Sequence, residues 1–305
     1  MSLFIQNSIH MNELENKTMN NADYPQLYRA ADNLSIQHQK ERFGLLFGYL
    51  SSLVIGSVVS IFCNGTIGNS ISLLLFILSA TLFAISKIHN PLELWYNGRA
   101  VAESVKSMTW KWMMKAEPYQ EIESETAISN LKNDLHCLLQ QNKTLFSHYQ
   151  DEDDGFYCIS ERMKEVRNSN AKDRLSFYNR NRVKNQLNWY RMKAKRFHNL
   201  YIIYSSTVAF FYAAIIVLMI INISKPNVSL PIELVSAFVT SIVSWMEAKK
   251  YNELSCAYSL AVNDISIINA NMLEGNVADN DVSEYVINSE NAFSREHTQW
   301  FARKQ

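Results

Sequence analysis

The chain has 305 residues, 29 of them basic and 29 acidic, so its formal net charge at pH 7 is zero. That balance argues against general nucleic-acid binding, which rests on an excess of Lys and Arg. Mean hydropathy is slightly negative at −0.15 although 48% of residues are hydrophobic, so the apolar residues are gathered into blocks and not spread through a soluble core.

In chain order, the first 40 residues are polar and lack an apolar h-region, so no cleaved signal peptide is expected. Residues 23–42 read as a helix leading into the first block, 43–86, which contains no Asp, Glu, Lys, Arg or His. Helical spacing resumes at Leu94, Gly98, Val101, Val105, Met108 and Trp112. The acidic run at 151–154 marks a linker. A further stripe, Val183, Leu187, Tyr190, Ala194, Phe197 and Tyr201, predicts one helix over about 172–223, roughly 75 Å long. The second block covers 199–224 and 230–246, with Glu233 its one charge. A last stripe runs from Tyr251 through Tyr258 and Ile265 to Met272, before a polar break at 275–281 and a terminal helix.

A membrane span needs about 20 apolar residues. Four stretches qualify, about 44–63, 68–88, 200–223 and 230–246, and their short connections make two antiparallel hairpins. Each opens after a basic residue and a phenylalanine (Arg42-Phe43, Arg196-Phe197), and each is followed by Tyr-Asn (Tyr96-Asn97, Tyr251-Asn252), as in an internal duplication. Basic residues such as Arg42, Lys87, Lys193, Lys195, Arg196, Lys249 and Lys250 flank one side, against Lys225 on the other. The positive-inside rule then makes both termini and the middle segment cytoplasmic. The expected fold is all-α and integral to the membrane: two transmembrane helical hairpins, hence four spans, plus a cytoplasmic helical bundle.

Catalytic signatures are absent: no G-x-S-x-G, Walker glycine loop or H-E-x-x-H occurs, so no enzyme and no cofactor is expected. His136, Cys137, His148 and Cys158 fit no zinc spacing, and the twelfth position counted from Asp151 is Arg162, not the Glu of a calcium loop. Cys63, Cys137, Cys158 and Cys256 show no paired spacing, which disfavours disulfides. Gly48, Ser52, Gly56 and Ser60 recur every four residues in the first span, as do Ser236, Thr240 and Ser244 in the fourth. Such stripes serve close helix packing or line a hydrated pore. Glu233 either caps a helix start at the outer interface or forms an acidic ring at a pore mouth. Trp95, Trp110, Trp112, Trp189, Tyr190 and Trp245 suit interfacial anchoring and helix–helix contacts. The alternative is a cytoplasmic coupling or ligand cleft that also draws on Arg99, Arg182, Gln186 and Arg191.

Several motifs are more specific in combination. Tyr24-Pro25-x-Leu27-Tyr28-Arg29-Ala30-Ala31-Asp32 precedes the first hairpin, and Tyr96-Asn97-Gly98-Arg99-Ala100-Val101-Ala102-Glu103-Ser104 follows it. Thr109-Trp110-Lys111-Trp112 comes next. Tyr178, Arg182, Gln186 and Trp189-Tyr190 precede the second hairpin, and Phe293-Ser294-Arg295-Glu296-His297-Thr298-x-Trp300 lies near the end. In this order they resemble a tandem of the bacterial SLATT family, with one unit over 23–145, a linker region over 146–170 and a second unit over 171–305. The resemblance implies a membrane-permeabilising, pore-forming effector of a nucleotide-signalling antiviral defence system. It would act as a homo-oligomer in the inner membrane, triggered by a cytoplasmic protein that makes or senses a nucleotide. The alternative is a non-conducting membrane scaffold that recruits a soluble defence protein.

Overall fold

Helix α1 (Gln26–Phe62) runs for 37 residues because no proline interrupts it, and it ends where Gly65 takes a φ of +97° before α2 (Thr66–Ile88). Glycine adopts that backbone without the Cβ penalty other residues meet. Helix α3 (Pro91–Met113) begins on a proline, whose fixed φ suits a first helical position. Helix α4 (Ser124–Gln141) buries Ala127, Leu131, Leu135 and Leu139, one face at four-residue spacing. The side chains of Ser160 and Asn170 cap α5 (Glu161–Asn168) and α6 (Ala171–Tyr178) by accepting from backbone N–H groups three residues on. A π-helical turn, Asn179–Val183, leads into the 41-residue α7 (Lys184–Ser224). Helices α8 (Ile232–Lys249), α9 (Tyr251–Ala270) and α10 (Asp279–Ala302) complete the chain.

This computed structural model describes residues 18–63, 65–120, 123–146, 157–225, 230–272 and 277–302, and among them there is no strand. The acidic run at 151–154, His148 and Gly275 lie outside the described residues. The fold is all-α. The helix expected over 172–223 is helical throughout, but its first part is not uniformly α. Tyr178 and Arg182, four residues apart at this turn, share a face and meet the same partner.

Three helical segments are long and apolar enough to cross a membrane, within 26–62, 66–113 and 171–224. The fourth expected span coincides with α8, which has 18 residues and carries Glu233, Glu247 and Lys249. By length and composition it does not join the other three.

The chain forms two compact units, each drawing on both halves of the sequence. The first comprises residues up to 36, 94–192 and 257 onward, and the second comprises 37–93 and 193–256. In the second unit α1 and α2 pack through small residues. A Cβ on Gly56 would lie 2.9 Å from Phe76, and one on Gly48 would lie 3.1 Å from Leu82. Buried Gly68, Ser72, Ser79 and Ser86 line the facing side of α2. Ser72 donates to the Gly56 carbonyl at 2.7 Å and Ser79 to the Tyr49 carbonyl at 2.8 Å, so the hydroxyls are satisfied across the contact. Further on, Phe238 of α8 meets Phe211 of α7 edge-on at 5.1 Å. Lys249, at the end of α8, stands over the Phe43 ring at 3.1 Å.

Candidate functional site

The first unit has a buried polar centre. Arg182, 3% exposed, donates from Nε and Nη2 to the two carboxylate oxygens of Glu290 at 2.9 and 2.8 Å. The Tyr178 hydroxyl donates to the same carboxylate at 2.8 Å. Glu103 approaches Arg182 at 4.0 Å and pairs with Arg99 at 3.4 Å. Burial by itself lowers the Arg182 pKa, but the Glu290 charge and hydrogen bonds outweigh it and hold the guanidinium firmly protonated. Burial drives the Tyr178 phenol well above its ordinary value, and the Glu290 charge pushes the same way. Burial, then the Arg182 charge, lower the Lys106 ammonium. Lys106 lies over the rings of Tyr24 and Tyr28, 5.9 and 5.7 Å from their centroids.

Helix contacts fix this centre. At Gly98 the backbones of α1 and α3 come so close that a Cβ would sit 2.8 Å from Leu34 and 3.1 Å from the Ser35 nitrogen. Trp110 is fully buried, donates to the Tyr24 hydroxyl at 3.0 Å and meets the Tyr178 ring edge-on at 5.5 Å. Trp112, equally buried, donates to the Ala127 carbonyl at 2.9 Å and lies under the guanidinium of Arg167 at 4.8 Å. Arg167 also bonds the carbonyls of Trp112 and Tyr119.

Beside the ion pair is a cavity of about 440 Å³ between α3 and α10, with Arg182 in its wall. Glu103, Ser104, Ser107 and Lys111 face it from α3, and Glu290, Asn291, Phe293 and Ser294 from α10. The Arg182 guanidinium stands 4.8 Å from the Phe293 ring centroid.

Of the residues expected at a cytoplasmic cleft, only Arg182 lines this cavity. Trp110 and Trp112 are core side chains of the first unit and make helix–helix contacts. Arg99 lies 6.0 Å from the Trp189 ring centroid, Trp189 and Tyr190 both pack on Tyr258, Gln186 is half-buried and Arg191 is exposed. In the second unit Gly48, Ser52 and Gly56 lie on the packed part of α1, while Ser60 is exposed. Ser236 and Ser244 are half-buried, Thr240 is exposed and bonds the Ser236 carbonyl, and Glu233 is exposed in the first turn of α8. Tyr178, Glu103 and Glu290 were not among the expected site residues. Glu290 carried a signal: it falls on the buried face of α10 with Val282, Val286 and Phe293, where a charge requires a partner.

Long apolar helices continuous with an ion-paired helical unit define an integral membrane protein whose second unit packs like a transmembrane bundle. The chain belongs to the SLATT family, whose domains are associated with effector functions in antiviral defence. Residues 25–175 match the SMODS and SLOG-associating 2TM effector domain 3, and residues 178–300 match effector domain 1 of the same description. No curated protein and no solved structure matches the chain.

Proposed function

We propose that the chain is a membrane-permeabilising effector of a bacterial antiviral defence system, acting as a homo-oligomer in the inner membrane and held closed until a cytoplasmic signal reaches the first unit. The observation that carries this reading is the tandem of two 2TM effector domains in one chain. Two such domains supply four passes, with α8 as the last. Its contacts support this: Phe238 lies alongside α7, and Lys249 returns to the level of Phe43, where α1 becomes apolar. Both termini then share the cytoplasmic side with the basic flanks. The trigger would be a partner that makes or senses a nucleotide.

The packing of the second unit bears on mechanism. Helix bundles fill their cores with side chains, and the α1–α2 seam is closed by Leu82, Phe76 and interhelical hydroxyl bonds. One chain therefore offers no lumen, and a pore requires several. Control must also be tight, because moving a closed-to-open ratio from 99:1 to 1:99 takes about 5.5 kcal/mol of differential binding.

The test is release of a trapped dye from liposomes carrying the purified chain when cytosol from phage-infected cells that contain its neighbouring genes is added, with mass photometry of the same preparations. Release should rise faster than linearly with the protein-to-lipid ratio and accompany oligomers. Release by a strict monomer would contradict the proposal.

A further inference from the structure

We infer that Lys249 and Arg196, at the basic end of the second unit, hold the phosphate of an anionic phospholipid headgroup. Lys249 closes α8 and stands over the Phe43 ring at 3.1 Å, with the Trp245 ring centroid 4.9 Å away. Arg196 of α7 is close enough for the two charges to repel, and its charge reaches Tyr251 as well. The Tyr251 hydroxyl accepts from the Trp245 indole at 3.2 Å, so one aromatic cluster backs both cations. Like charges this close repel, and an anion placed between them would relieve both.

The protein supplies no such anion among its described residues. No described carboxylate lies within ion-pair distance of Lys249 or Arg196, and no acid acts on Lys249 beside the Arg196 charge. The acids next to this cluster in sequence are engaged elsewhere. Glu41 faces His38 and His89, and Glu253 pairs with Lys250 at 3.3 Å. Glu247 stands two positions before Lys249, about 200° round the helix from it.

Position in the fold selects the kind of anion. Phe43 is the first residue of an uncharged apolar block, and Phe47, one turn deeper, meets Trp245 edge-on at 6.3 Å and is otherwise exposed. On α7, Ile203 and Phe210 follow Arg196 at seven-residue steps, so all three share one exposed face. A molecule seated here meets two cations at one end and bare apolar surface beyond them. A soluble phosphate uses only the first. A phospholipid uses both, with its phosphate on Lys249 and Arg196 and its acyl chains on the apolar faces that follow. Tryptophan beside the headgroup level is the usual interfacial placement. A zwitterionic lipid is disfavoured, because its own cation would add to two already present. Lys249 packs on α1 of the first family match, whereas both cations belong to the second, so the headgroup would sit where the two hairpins meet. The inference rests on the membrane location of the second unit and not on the effector proposal.

The experiment is native mass spectrometry of the full-length protein in mild detergent, with phosphatidylglycerol, phosphatidylcholine and glycerol 3-phosphate as probes. Phosphatidylglycerol should form a discrete adduct that phosphatidylcholine does not displace. Arg196→Ala and Lys249→Ala should each weaken that adduct about fivefold, the worth of one basic residue beside a span. Lys249→Arg keeps the charge and should retain the adduct. Lys225→Ala, at the opposite end of the hairpins, should leave it unchanged. If Lys249→Ala does not melt like the parent protein, Arg196→Ala decides, because Arg196 is exposed. Equal retention of phosphatidylcholine, or an adduct indifferent to Arg196→Ala, overturns the site. Glycerol 3-phosphate bound as tightly as phosphatidylglycerol would reveal an anion site with no use for acyl chains, and would overturn the assignment to a lipid.

Discussion

Arg182 and Glu290 show why single residues in the first unit carry so much of its stability. Both are buried, so removing either leaves the other as an unpaired charge, typically at a cost of about 3–5 kcal/mol. Arg182→Met and Glu290→Leu should each lower the thermal midpoint of the purified protein strongly. The double variant should recover much of that loss, and losses that simply add would contradict the coupling. Tyrosines of the same unit give a pH prediction. Burial pushes Tyr28 and Tyr285 up to about 12, against an ordinary value of 10.0. The folded state then holds more protons than the unfolded one between about pH 10 and 12, so this contribution to stability is complete below pH 10 and lost as pH rises through 12. An ultraviolet titration should show late-ionising phenolates that Tyr28→Phe and Tyr285→Phe each diminish. Sequence alone revealed Tyr178 and Arg182 as parts of a motif, but not their partner, which lies 108 residues beyond Arg182. Which tryptophans pack between helices and which anchor at an interface was not legible for a related reason. Trp110 and Trp112 lie on the charged helix that follows the first apolar block, and only tertiary packing shows them enclosed.

The periodic stripes predicted helices because each buries one face, and α3 and α9 follow that rule, whereas the buried face of α4 was not read from the sequence. The α1–α2 seam was only half legible. Helices that are apolar all round lose the contrast that marks a buried face, so the spacing of Gly68, Ser72, Ser79 and Ser86 is hidden among leucines and isoleucines. The seam is nevertheless demanding. Gly56→Leu should cost about 1–3 kcal/mol through overpacking against Phe76, and a thermal melt in detergent would measure it. The π turn was not readable either, since nothing in the run Asn179–Val183 marks it off from the helices on either side. Helix α7 runs from this turn into the second apolar block. A proline at Gln186 or Arg191 would remove a backbone hydrogen bond and kink the helix, typically at about 3 kcal/mol or more. It should leave membrane insertion intact and abolish triggered permeabilisation. Triggered activity that survives either proline would rule out α7 as the coupling element.

For the molecule as a whole, the number of membrane passes decides which segments share the cytoplasm. Helix α8, at 18 residues and about 27 Å, is slightly shorter than a hydrocarbon core of about 30 Å. Native cysteines report on it, since all four are free and exposed. With four passes, a membrane-impermeant thiol reagent applied to intact cells should label Cys63, at the far end of α1, and not Cys256, beyond α8. Labelling of Cys256 in intact cells would mean that α8 does not cross. The central claim, that the membrane part performs the function and does not merely anchor it, is tested by membrane potential during phage infection. Cells carrying the chain with its neighbouring genes would be compared with cells whose two hairpins are exchanged for unrelated spans at matched membrane expression. The account predicts rapid depolarisation and protection with the native chain and neither with the exchanged one. Protection that persists after the exchange, without depolarisation, would contradict it and establish a scaffold.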